Sequence, residues 1–209
     1  MVNNDNARNQ YQIIRKDARN CFVEVKSDSF PIGKVHLEFS TYDMNKPSGQ
    51  RQTNHIHIYI DASEFLHLAH FILHGACHAQ MMALKKNTAS SGKPLYQSLG
   101  GTSAARLAQY GKARGDGMSQ SRCVKLFVGQ KADYLFCAES GAGETDAKGL
   151  IVPKYGNKPE QKVSVSLSMA ALNEIMLAAK AHYDAWLTHW YIRNYVQFER
   201  NSDNGTNMS

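Results

Sequence analysis

The sequence predicts an α+β fold built from two pseudo-symmetric antiparallel sheet-plus-helix units, β-β-β(-β)-α repeated and packed together. Three observations carry that expectation. His55-Ile-His-Ile-Tyr-Ile-Asp61 can be laid over Lys162-Val-Ser-Val-Ser-Leu-Ser168 without a gap, and both segments alternate apolar and polar residues. Each is followed by apolar residues at helical spacing: Phe65, Ala69, Ile72 and Ala76 in one, Leu172, Met176, Ala179 and Tyr183 in the other. Upstream, Cys21-Phe-Val-Glu-Val25 has a counterpart in Cys123-Val-Lys-Leu-Phe-Val128. A single unit of this kind cannot cover its own helix, so each needs its twin.

Taken in order, residues 1–10 form a tail without periodicity, and residues 11–84 form the first repeat. Strands are expected at 22–26, 34–40 and 55–60, separated by the turn signals Ser-Asp-Ser-Phe-Pro-Ile-Gly33 and Met-Asn-Lys-Pro-Ser-Gly49. Asp61-Ala-Ser-Glu64 has the form of a capping box opening one helix over 61–84. Residues 85–121 break the pattern and are expected to be a basic connector with a short helical stretch at 103–110. The second repeat occupies 122–197, with strands near 123–128, 133–139, 149–153 and 162–167. A helix from Ser168 toward Tyr195 follows, and residues 198–209 form a second tail. The aromatics late in that helix, Trp186, Trp190, Tyr191 and Tyr195, are expected to pack against the other half or a second subunit.

With 209 residues, the chain suits one large domain or two intimately packed halves. Its 43% hydrophobic and 20% charged content is ordinary for a globular protein. No apolar run approaches the length of a membrane span and Met1-Val-Asn-Asn-Asp-Asn lacks a signal-peptide core, so a cytoplasmic location is expected. Cys21, Cys77, Cys123 and Cys137 show no metal-like spacing and are expected to be free thiols. The net charge of +6 favours a polyanionic partner.

Alternation assigns the face of each strand. If Ile56, Ile58 and Ile60 pack on the helix, His55, His57 and Tyr59 point the other way. By the same reasoning Lys34, His36 and Glu38, Phe22, Glu24 and Lys26, and Lys125 and Phe127 point out. In the strand at 133–139, Leu135 and Cys137 are assigned inward, leaving Tyr134 and Phe136 outside. A face mixing rings with cations suits single-stranded nucleic acid, because rings stack on bases and cations track phosphates. Tyr59, Phe127, Tyr134 and Phe136 are the expected stacking residues. Lys34, Arg106, Lys112, Arg114, Arg122 and Lys125 are the expected phosphate contacts.

His67, His70, His74 and His78 share one helical stripe with no carboxylate or cysteine on it, which fits a solvated row better than a metal site. Gly100-Gly-Thr-Ser103 lacks the lysine pattern of a nucleotide-binding loop.

With the repeat laid out, the chain resembles the Whirly and positive-cofactor-four group of single-stranded DNA-binding proteins over about residues 20–195. Gly33-Lys-Val-His-Leu37 resembles the lysine-containing strand motif of Whirly proteins. Lys93-Pro-Leu-Tyr-Gln-Ser-Leu-Gly-Gly-Thr-Ser103 and Lys148-Gly-Leu-Ile-Val-Pro-Lys154 look like segments of proteins carried on conjugative elements of Gram-positive bacteria. These resemblances imply a non-enzymatic protein without cofactor or metal that handles single-stranded transfer DNA, with RNA left open. They imply a pseudo-dimeric monomer or a homo-oligomer, away from membranes.

His55-Ile-His57 supports a different resemblance, to the HUH endonucleases, in which two strand histidines hold a metal and a helix-borne tyrosine attacks the phosphodiester. The helix expected after this strand has no tyrosine, the nearest downstream being Tyr96 and Tyr110. A structural factor of a conjugation machine, binding no nucleic acid, is a third expectation.

Overall fold

The computed structural model of the protein describes residues 10–86 and 92–205. Four strands come first: β1 (Gln12–Asp17), β2 (Cys21–Lys26), β3 (Lys34–Tyr42) and β4 (Gln52–Asp61), paired antiparallel in the order β1-β2-β3-β4. Helices α1 (Ala62–Leu73) and α2 (Ala76–Lys86) follow. The second half comprises β5 (Tyr96–Thr102), α3 (Ala104–Gln109), β6 (Ser119–Val128), β7 (Tyr134–Thr145), β8 (Ile151–Pro153), β9 (Gln161–Leu167) and α4 (Met169–Gly205). Its sheet runs β5-β6-β7, and the far edge of β7 is shared by β9 along Tyr134–Ser140 and by β8 along Gly143–Thr145.

With α3 and the short β8 set aside, β5-β6-β7-β9-α4 repeats β1-β2-β3-β4-α1 in both order and pairing. The register repeats as well. Ile56, Ile58 and Ile60 lie opposite Phe39, Leu37 and Val35, while Val163, Val165 and Leu167 lie opposite Ala138, Phe136 and Tyr134. The gapless overlay of β4 on β9 is therefore an overlay of equivalent strands. The fold is α+β with two antiparallel sheets.

One core joins the halves. The inward rows of both sheets, Phe65, Leu68, Ala69 and Ile72 of α1, and Leu172, Ile175, Met176 and Ala179 of α4 belong to a single buried cluster. Phe39 and Phe136 meet edge to face across the sheets with ring centroids 5.1 Å apart. Helix α4 packs on α1 and on β1, β2 and β9, so it covers both units. Burying each such large apolar side chain stabilises the fold by about 1.5–3 kcal/mol, which explains why neither half is closed without the other.

Several expectations need correction. Tyr134 and Phe136 are in the core, and it is Leu135 and Cys137 that face outward. In Tyr-Leu-Phe-Cys-Ala both alternating sets are apolar, so the pattern does not choose a face. The pairing of Phe136 with Leu126, a residue already committed inward, chooses it. Within the 85–121 connector the helical stretch expected at 103–110 is present as α3, capped by Ser103 Oγ accepting from Arg106 N–H at 3.3 Å. The segment also contributes an unexpected strand, β5, an edge strand paired with β6 from Tyr96–Leu126 to Thr102–Gln120.

Gly100 and Gly101 hide β5 from a propensity reading, yet Gly101 is required there. Its φ is +149°, and a Cβ would stand 2.0 Å from the carbonyl oxygen of Gln120. Gly101→Ala should destabilise the protein by about 3 kcal/mol, read as a lowered urea midpoint; an unchanged midpoint would contradict the close approach.

The helix expected over 61–84 is two helices. Gly75, at φ +82°, ends α1, and Cys77 and Met81 of α2 reach the core where Ala76 was expected to. The capping box does not form, because Lys34 Nζ donates to Asp61 at 2.7 Å and the Tyr96 hydroxyl donates to Glu64 at 2.8 Å. His67, His70 and His74 are exposed, with the His70 and His74 rings stacked at 3.9 Å.

Strand β1 was not expected, and α4 runs to Gly205, through residues assigned to the second tail. The first tail lies outside the described residues except for Gln10. Tyr183 and Trp186 pack on Phe30 at 5.2 and 5.9 Å, whereas Trp190, Tyr191 and Tyr195 are exposed. Cys21, Cys77, Cys123 and Cys137 are free thiols. Among the described residues no helix is long and apolar enough to cross a membrane.

Candidate nucleic-acid interface

The outer face of the second sheet carries a groove of about 600 Å³. Alternation along β6 turns Phe127 out while Leu126 turns in, and the corrected face of β7 sets Leu135 and Cys137 beside it. Ser166 and Lys162 of β9 complete the floor. Lys85 at the end of α2, Lys93 before β5 and Lys131 in the β6–β7 loop supply the rim, and among the described residues no carboxylate lines the groove.

Just beyond the floor, buried Glu139 accepts from Lys125 Nζ at 2.5 Å and from Lys162 Nζ at 2.9 Å. Burial alone would raise the Glu139 carboxyl, but the two ammonium groups outweigh it and hold the pKa below the usual range. Burial raises the pKa of the Cys137 thiol. The Lys125 and Lys162 charges are thus shared with one carboxylate, while Lys85, Lys93 and Lys131 have no ion-pair partner among the described residues.

A different arrangement occupies the outer face of the first sheet. His36 Nδ1 lies 2.9 and 3.0 Å from the two oxygens of Asp28, and His36 Nε2 lies 2.8 Å from His57 Nδ1. With Nδ1–H donated to the carboxylate, neutral His36 leaves Nε2 as the acceptor. Glu38 is held by His55 Nε2 at 2.6 Å and by Lys26, and Tyr59 stacks on His36 at 4.4 Å. Burial, and then the charges of His55 and His36, push His57 down to about 4. Burial also lowers His36 in spite of Asp28. Glu38 behaves like Glu139: burial would raise it, and Lys26 and His55 bring it below the usual value.

Beside this cluster lies a cleft of about 140 Å³ lined by His57, Tyr59, Gly100, Gly101, Thr102 and Arg122. Arg122 donates to Thr102 Oγ1 at 3.1 Å, and burial lowers its pKa.

The expected contact residues therefore do not form one surface. Lys125 and Phe127 belong to the second-sheet face, Tyr59 and Arg122 to the cleft, and Tyr134 and Phe136 to neither, being inaccessible in the core. Lys34 is tied to Asp61. Arg106 is exposed on α3 with its guanidinium 5.9 Å from the Tyr110 ring centroid, and Lys112 is exposed just after it. Arg114 is a clamp: its guanidinium holds Asp116 at 2.7 Å, Glu160 at 2.5 Å and Gln120 at 2.8 Å, so it ties the loop before β6 to the start of β9. Lys85, Lys93, Lys131, Lys162 and Leu135 line the groove although none of them was among the expected contact residues. Lys162 carried a signal in its outward position on β4's repeat partner, and Lys85 and Lys93 in the basic bias of the connector; Lys131 carried none.

No protein-family model matches the chain, and no curated protein matches it by sequence. Fold and site alone define its class: a two-sheet α+β protein with an internal repeat, an outer groove rimmed by lysines, and a separate histidine cluster.

Proposed function

We propose that the protein binds single-stranded nucleic acid through the groove on its second sheet, as a binding protein and not an enzyme. The observation that carries this reading is the groove's composition among the described residues: an aromatic and aliphatic floor of Phe127 and Leu135, four lysines in the lining, and no carboxylate. Bases stacking on Phe127 with phosphates along Lys85, Lys93, Lys131 and Lys162 would use both terms of single-strand recognition, neither of which reads sequence. The net charge of +6 supports the same partner. The resemblance to Whirly proteins implies the same partner, and the segments resembling proteins of conjugative elements imply cytoplasmic handling of mobile-element DNA.

The test is a fluorescence-anisotropy titration with a labelled single strand and a matching duplex. The single strand should bind more tightly, and Phe127→Ala should weaken it by about 1–3 kcal/mol, roughly 5- to 150-fold, with the fold intact. Equal affinity for both ligands, or an unaffected Phe127→Ala protein, would refute the reading.

A further inference from the structure

We propose that His36, His57 and Glu38 form a binding site for one divalent transition-metal ion of the zinc class. One ligand atom from each residue lies within 4.8 Å of the others. The three stand on two adjacent strands, with Glu38 directly opposite His57 and His36 diagonal to it, so a rigid sheet sets their spacing. The groups behind them are already arranged as metal sites require. Asp28 takes Nδ1 of His36 and turns Nε2 toward the centre, while His55 and Lys26 hold the Glu38 carboxylate.

The 2.8 Å contact between His36 Nε2 and His57 Nδ1 contains a single shared proton when both rings are neutral. A metal would displace that proton. Metal–nitrogen bonds of about 2.0–2.1 Å at tetrahedral angles place two nitrogens about 3.3 Å apart, so the rings need open by only about 0.5 Å. Two imidazoles with one carboxylate suit zinc and its neighbours better than magnesium or calcium, which prefer all-oxygen sites. Asp28, Glu24 and Glu38 surround the position and offset the charges of Lys26 and Arg122. Three protein ligands leave a fourth position, and His57 also lines the cleft that holds Tyr59 and Arg122, from which a water or an anion could fill it. The site stands apart from the lysine groove and does not depend on nucleic-acid binding.

Cobalt is the probe, because its visible ligand-field absorption reports nitrogen and oxygen coordination. The host is the full chain carrying His70→Ala and His74→Ala, which removes the exposed stacked pair as a competing chelate. One equivalent of Co²⁺ should saturate the band and Zn²⁺ should abolish it by displacement. In that host His57→Asn should eliminate the band, and Asp28→Asn, a change at an exposed carboxylate, should weaken cobalt binding about 10- to 100-fold. Absence of a one-equivalent band in the host would overturn the proposal, as would a band unchanged by His57→Asn. Should that variant not fold by circular dichroism, undiminished cobalt affinity in Asp28→Asn would overturn it instead.

Discussion

Phe136→Ala should lower the unfolding free energy by about 3–5 kcal/mol, the range for removing a fully buried aromatic ring. Its side chain is fully buried, stands edge-on to Phe39 at 5.1 Å, and lies between Leu126 and Val165 on its neighbouring strands. The cavity would open where the two sheets meet, a place that cannot collapse without moving one sheet against the other. Since a domain's whole stability is about 5–15 kcal/mol, this one ring carries a large share of it. Urea denaturation at constant m-value is the measurement, and a loss below about 1 kcal/mol would contradict the placement of the ring. Tyr134, equally buried one pair further along β7, should behave alike, so a Tyr134/Phe136 double alanine protein should be unfolded. Loss of nucleic-acid binding in that protein would say nothing about stacking, whereas Phe127→Ala, on the wet face, does.

Removing the three groove lysines that lack ion-pair partners, Lys85→Ala with Lys93→Ala and Lys131→Ala, should have the largest effect on binding. Each phosphate contact on a single strand contributes about 0.7 to the slope of log affinity against log salt, so the triple variant should flatten that slope by about 2. Its affinity should fall most at low salt and converge with the wild type at high salt. Unfolding midpoints should hardly move, because exposed lysines without partners contribute little to stability. Arg114→Ala is the informative contrast. That guanidinium is committed to Asp116 and Glu160, whose attraction raises its pKa, so its removal should loosen the loop before β6 and leave the salt slope unchanged. A slope that responds to Arg114 and ignores the three lysines would place the interface elsewhere.

How legible the molecule was depended on how one-sided each segment's chemistry is. In β4 and β9 one alternating set is all aliphatic and the other polar, so strand, face and repeat could all be read, and the register bears this out. In β7 both sets are apolar and the face was misread. In β5, glycine and serine gave no strand signal, because that strand exists by virtue of its pairing with β6 and not through its own propensity. The cationic residues were visible as charges but not as a surface. Arg114 and Lys34 look as free in sequence as Lys131 does, and only the carboxylates brought to them by the fold distinguish them.

By itself the sequence determined the two-unit α+β plan, because period-two and period-3.6 patterns are local consequences of which residues must leave water. The tertiary structure alone decided the functional surfaces. The groove joins residues from Leu84 to Ser166, and the histidine cluster needs His36 and His57 on neighbouring strands in one register. Distances of a few ångströms between such residues follow from sheet pairing and core packing, which no local pattern encodes.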